Sequence, residues 1–188
     1  MSNEITNLFN IPTLSVEVDS IWLFKHNMGN NYYNSSILVK MIAIDCFYKK
    51  NDYGFNWYNK MQLKRVKDNP MIPKYMAYHE NEFRDLIKSF EENGFDSKKP
   101  IILNKDFYIV DGTHRLALAL YMGIKRISIK IDEKSYYLQS KDFSINWFKN
   151  NEMAYVEKEV IKKYNEVLKG ELDEWKIWKA CFYCRIML

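Results

Sequence analysis

Apolar residues recur along this chain with two different periods, and the alternation between them sets out most of the elements. Ile37, Met41, Ile44 and Tyr48 follow helical spacing after the ready N-caps Asn34, Ser35 and Ser36, so a helix is predicted over 37–49. An aromatic loop over 51–58 leads into a second helix over 57–66. Pro70 and Pro73 each remove a backbone donor, which predicts a loop over 68–78 before a helix resumes near His79. Phe83, Leu86, Ile87 and Phe90 line one face of that helix, and Gly94 stops it. Short β-branched runs at 101–103 and 107–110 read as a hairpin. Ile127, Ile129 and Ile131 alternate with polar residues as a half-buried strand, and 14–18 alternates as an edge strand. Between the hairpin and the 127–131 strand lies a nearly all-apolar helix over 113–122, ended by Gly123. Residues 27–34 read as loop. Asn150 or Asn151 caps a helix over 152–169 ended by Gly170, and the tryptophans of 171–188 keep helical spacing.

This is an α+β pattern in one domain of 188 residues, with 47% hydrophobic and 16% aromatic content to supply a single core. Its 28 basic and 24 acidic residues are interspersed, which describes a mixed solvated surface and not a basic stripe for nucleic acid. Three cysteines and an N-terminus lacking a basic, then apolar, leader point to a cytoplasmic chain. No apolar run approaches the ~20 residues that cross a bilayer. Cys181 and Cys184 have the C-x-x-C spacing of metal and redox sites but no second pair beside them.

The chemistry concentrates where the 107–110 strand turns into the next helix, at Asp111-Gly112-Thr113-His114-Arg115. Gly112 supplies a flexible turn and Thr113 an N-cap. Backbone N–H groups at a helix start attract phosphate, and Arg115 can add a two-pronged fork to the same anion. Cations in a first turn oppose the helix dipole, so helix stability alone does not call for His114 and Arg115, although either can pair with a nearby carboxylate instead. Asp111 can orient a metal or substrate, or only bond the turn's own backbone.

These residues, with Pro100-Ile101-Ile102-Leu103 ahead of them and Leu116-Ala117 behind, resemble the signature of the ParB/sulfiredoxin superfamily. The likeness runs from about residue 64 to 131, which would leave helical extensions over 1–63 and 132–188 around a small mixed sheet. It implies binding of ATP, ADP or CTP phosphates at Gly112, Thr113, His114 and Arg115. Sulfiredoxin activity needs a cysteine in the turn, where this chain has Thr113, and chromosome-partitioning ParB proteins need a helix-turn-helix with a basic face, which 132–188 lacks. Asp-Gly-x-His-Arg matches the free serine kinase branch. That likeness implies phosphoryl transfer to a hydroxyl of a small polar metabolite, with Mg2+ and Asp111 working at the acceptor side or on the metal.

The same branch uses a glutamate from outside the turn as base, and Glu80 and Glu82 are the nearest in chain order, though acids at a helix start also satisfy its dipole. Gly54-Phe55-Asn56-Trp57-Tyr58 is similar to a segment of superfamily members associated with surface-polysaccharide genes, which favours a small-molecule substrate. Trp57, Tyr58 and Trp147 are candidates to close over substrate, with core packing as the alternative use of each. A nucleotide-dependent DNA-binding protein and a non-catalytic nucleotide sensor stand as the other readings.

Overall fold

The computed structural model describes residues 16–30, 32–65, 72–132 and 143–170, with backbone alone for 72–78. They form a mixed α+β fold with a four-stranded sheet of order β1-β4-β2-β3, in which β1 (Val16–Asp19) is antiparallel to β4 (Arg126–Ile131), β4 is parallel to β2 (Ile101–Leu103), and β2 is antiparallel to β3 (Ile109–Asp111). The helices are α1 (Ser20–Met28), α2 (Ser36–Tyr48), α3 (Tyr53–Arg65), α4 (Ile72–Asn93), α5 (Thr113–Tyr121), α6 (Ile145–Asn150) and α7 (Glu157–Lys169), with a 3-10 turn at Ala154–Val156. No described helix is long and apolar enough to cross a membrane. The expected C-terminal helix over 171–188, with Cys181 and Cys184, lies outside the described residues.

The most buried helix is α2, with every residue from Ser36 to Cys46 inside. The stripe of Ile37, Met41 and Ile44 understates it, because Leu38, Val39, Ile42 and Ala43 fill the other faces and are buried as well. A helix apolar all round belongs between other elements, and α2 lies against α3, α5 and α7. The N-terminal segment, read from sequence as an extension, therefore supplies both a sheet edge and the central helix.

Close approach of α3 to α2 depends on Gly54. A Cβ there would stand 2.6 Å from the Ile42 carbonyl oxygen and 2.7 Å from the Ala43 Cα, inside the contact distance of any side chain. Because α3 begins at Tyr53, the segment expected as an aromatic loop is mostly helix, with Phe55, Trp57 and Tyr58 buried. The loop expected over 68–78 gives way to helix from Ile72. Pro73 sits in the first turn of α4, where its missing N–H has no intrahelical acceptor to lose.

Two helices went unread in the sequence. Asp19 caps α1 by accepting from the Trp22 N–H at 2.7 Å, and Ser144 caps α6 by accepting from that of Trp147 at 3.2 Å. Asn151 does not start the long C-terminal helix: its Nδ2 donates to the Trp147 carbonyl at 2.8 Å, the chain turns at Glu152 with φ 60°, and α7 begins at Glu157. The hairpin is shifted too. Asn104 Oδ1 accepts from the N–H groups of Asp106 and Tyr108 and Phe107 takes φ 61°, so β3 starts at Ile109 and not at Phe107.

Candidate functional site

The strand-to-helix turn is built around Gly112, which takes φ 104° and caps α5 itself. A Cβ there would meet Arg115 Nη2 and Ile101 Cγ1 at 3.1 Å and Ile101 Cα at 3.2 Å, so conformation and space both require glycine. Thr113, expected as the cap, is the first helical residue instead. No side chain caps α5, and its first intrahelical bond runs from the Leu116 N–H to the Gly112 carbonyl. The N–H groups of Thr113, His114 and Arg115 precede that bond.

Arg115 spends its guanidinium on the protein. Nη1 donates to the carbonyls of Lys99 (2.6 Å) and Pro100 (3.0 Å), and Nη2 donates to Asp111 Oδ2 at 2.6 Å. It thereby ties the strand entering the sheet to the turn. Asp111 is the exposed partner, its side chain 72% accessible, so one carboxylate oxygen rests on Arg115 while the group faces solvent. Of the two uses open to Arg115, the carboxylate pair is the one present.

His114 points the other way, into a ring-lined corner. Its centroid is 4.7 Å from that of Phe83 on α4 and 5.6 Å from that of Tyr58 on α3, and Nε2 lies 3.0 Å from the Tyr58 hydroxyl. Gln62 Nε2 donates to the Tyr58 oxygen at 3.2 Å, while Arg65 Nη1 donates to Gln62 Oε1 at 3.4 Å. A chain of hydrogen bonds thus runs from Arg65 through Gln62 and Tyr58 to His114. Burial holds the His114 pKa well below the usual histidine value, and the charges of Lys40, His79, Arg65 and Arg115 press in the same direction. His114 is therefore neutral at physiological pH.

Lys40 was not singled out by sequence, and its position is the least expected in the molecule. It lies on α2 and is only 3% exposed. Among the described residues its ammonium donates only to Ser36, one turn back, at 3.2 Å to the hydroxyl and 3.4 Å to the carbonyl oxygen. Burial, with the charge of Arg65, lowers its pKa to about 7. The available signal was a lone lysine in a thirteen-residue helix otherwise composed for burial.

The remaining candidates fall in different places. Glu80 binds Arg84 at 2.7 Å and accepts from Asn59 Nδ2 at 2.5 Å, on the side of α4 that faces α3. Glu82 pairs with His79 at 3.3 Å. Tyr58 is wholly buried and reaches the site through its hydroxyl alone. Its neighbour Trp57 turns away to stack on Tyr53 and Tyr155. Trp147 lies between Phe143 and Phe148 and has no ring contact with the turn. Trp57 is buried in the core, and Trp147 packs half-buried against it. Among the described residues, no three carboxylate, imidazole or thiol groups converge as a metal site. Asp111 offers a single carboxylate, which suits a Mg2+ ion that arrives with phosphates supplying its other ligands. Comparison with models of protein families, with curated proteins and with solved structures finds no match.

Proposed function

We propose that the protein binds ATP, ADP or CTP through its phosphates at the start of α5 and passes a phosphoryl group to a hydroxyl of a small polar metabolite. The observation that carries this reading is the helix start itself: three leading N–H groups without a side-chain cap, beside a neutral histidine on which the positive charges of Lys40, Arg65 and Arg115 act. Phosphate supplies the negative charge that such a corner lacks. In this reading Gly112, Thr113 and His114 contact the phosphates, Arg115 holds the turn in shape, and Asp111 meets Mg2+ or the acceptor hydroxyl from the solvent side. Mg2+, when bound, offsets phosphate charge.

A second reading has its own support. Glu80 is bound to Arg84 and Asn59, Glu82 to His79, and Asp111 to Arg115, so each candidate base already has a side-chain partner. That arrangement favours a nucleotide sensor that does not turn its ligand over.

Calorimetry with ATP, ADP and CTP, each with magnesium, separates these readings from DNA binding. Binding of at least one nucleotide without binding to duplex DNA is the expected result. Tight, salt-sensitive binding to duplex DNA with no heat from any nucleotide overturns it. Given binding, phosphoryl transfer to a panel of amino acids, polyols and sugars then distinguishes the kinase from the sensor.

A further inference from the structure

We propose that Lys40, His114 and Arg65 form a subsite for an oxyanion, a phosphoryl or carboxylate group, in the corner between α2, α3 and the start of α5. The inference rests on the phosphate-turn reading and adds the side chains that complete it from outside the signature residues.

Three elements bring the groups together. Lys40 projects from α2, which lies against both α3 and α5. Arg65 ends α3 and is linked through Gln62 and Tyr58 to His114, in the first turn of α5, whose Nε2 lies at the Tyr58 hydroxyl. Arg65 is exposed, His114 half-buried and Lys40 buried, which grades the three groups from solvent to core.

The charges have one sign. Those acting on His114 are Lys40 from α2, Arg65 from α3, His79 from α4 and Arg115 of α5 itself. Acidic groups nearby are committed elsewhere: Glu82 to His79 and Asp111 to Arg115. On the α7 side, Lys163 and Glu166 engage Asp45, more than a turn further along α2. No described carboxylate forms an ion pair with Lys40. A methionine would fill the same volume in an apolar helix without the cost of burying an ammonium on two long bonds to Ser36. An arriving anion removes that cost by supplying the missing partner.

The lysine also predicts a proton signature. With its pKa near 7, Lys40 is largely neutral at pH 8. A bound anion favours the ammonium, so binding at that pH draws a proton from solution.

The test is calorimetric titration of the full chain with inorganic phosphate at pH 8 in two buffers of different ionisation heat, on wild type and Lys40→Met. Wild type is expected to bind phosphate with net proton uptake. Lys40→Met is expected to bind about ten- to a hundredfold more weakly, to lose the uptake, and to unfold at a higher temperature than wild type without phosphate. Equal phosphate affinity in the two proteins overturns the inference. So does a lowered unfolding temperature in Lys40→Met, which would make the lysine a structural donor to Ser36.

Magnesium-ADP titrations identify the source of the anion. Competition with phosphate places the nucleotide's own phosphate in the subsite, and simultaneous binding places the acceptor's acidic group there. Proton-coupled phosphate binding with no nucleotide bound leaves the subsite standing and removes the kinase and sensor readings. Nucleotide binding with phosphate bound equally by wild type and Lys40→Met does the reverse.

Discussion

Two lysines are buried at the same helix, Lys40 on α2 itself and Lys163 on α7 against it, and they have been treated in opposite ways. Lys163, from α7, bonds to Asp45 of α2 and to Glu166 at 2.6 Å. Burial alone would lower its pKa, but the two carboxylates outweigh burial and raise it. Lys40, more than one turn before Asp45 on α2, has Ser36 as its hydrogen-bond partner among the described residues, and burial with the charge of Arg65 lowers its pKa to about 7. The first lysine is a tie that fastens α7 to the core. The second has the burial without the partner. A buried ammonium is tolerated at either site for a different reason: at Lys163 the partner belongs to the protein, and at Lys40 we assign it to a ligand.

The comparison is broken most severely by Lys163→Met. It removes the buried ammonium that Asp45 binds, and chemical denaturation should show a loss of about 3–5 kcal/mol. The same substitution at Lys40 should go the other way, raising stability by about 1–4 kcal/mol at pH 7, because it removes an uncompensated charge.

The pH dependence sharpens the contrast. Lys40 has a lower pKa folded than unfolded, so between about pH 7 and the ordinary lysine value the unfolded chain binds more protons. The charging penalty is complete below pH 7 and is relieved as pH rises, so stability climbs by at most about 1.4 kcal/mol per pH unit from this residue. Lys40→Met should flatten that climb. Lys163, with its raised pKa, holds its contribution throughout this window and loses it only at higher pH. His114 adds a parallel climb on the acidic side, since its lowered pKa penalises the folded state below the usual histidine range.

Gly54→Ala tests whether the corner depends on how closely α3 lies on α2. The added methyl meets α2 backbone, which cannot rotate away, so α3 must shift at a cost of about 1–3 kcal/mol. Tyr58 and Arg65 move with it, and phosphate binding should weaken, while the Lys163 and Asp45 tie is unaffected. The smallest effect on stability belongs to Asp111→Asn. Its pair with Arg115 is largely solvated, and the expected loss is about 0.2–1 kcal/mol. Nucleotide affinity should stay near wild type. A fall in turnover with a defined acceptor would support the role of Asp111 beside the acceptor, and full retention would leave the carboxylate as a tether for Arg115.

Local signals in the sequence located the turn but not the corner that it faces. Gly112 is required by a backbone angle and by Ile101 lying beside it, and the glycine itself advertises the turn. The stops at Gly94 and Gly170 were equally plain, each with φ 69°. By contrast, α1 and α6 are short helices whose caps, Asp19 and Ser144, sit in stretches with weak periodicity. The β1 strand gains its place from pairing with β4, across more than a hundred residues.

What the chain alone determined is whatever rests on neighbours in sequence: the α+β class, the β2–β3 hairpin, the polar turn and the helix after it. Periodicity, capping and glycine conformations act over a few residues and can be read there. Tertiary structure decided which charges meet. Lys163 finds Asp45 across 118 positions, Tyr58 reaches His114 across 56, and Lys40 ends inside the core with no described carboxylate paired to it. A side chain's charge is printed in the sequence, but its solvation and its partners depend on what the fold brings within a few ångströms, and those set its protonation and its use.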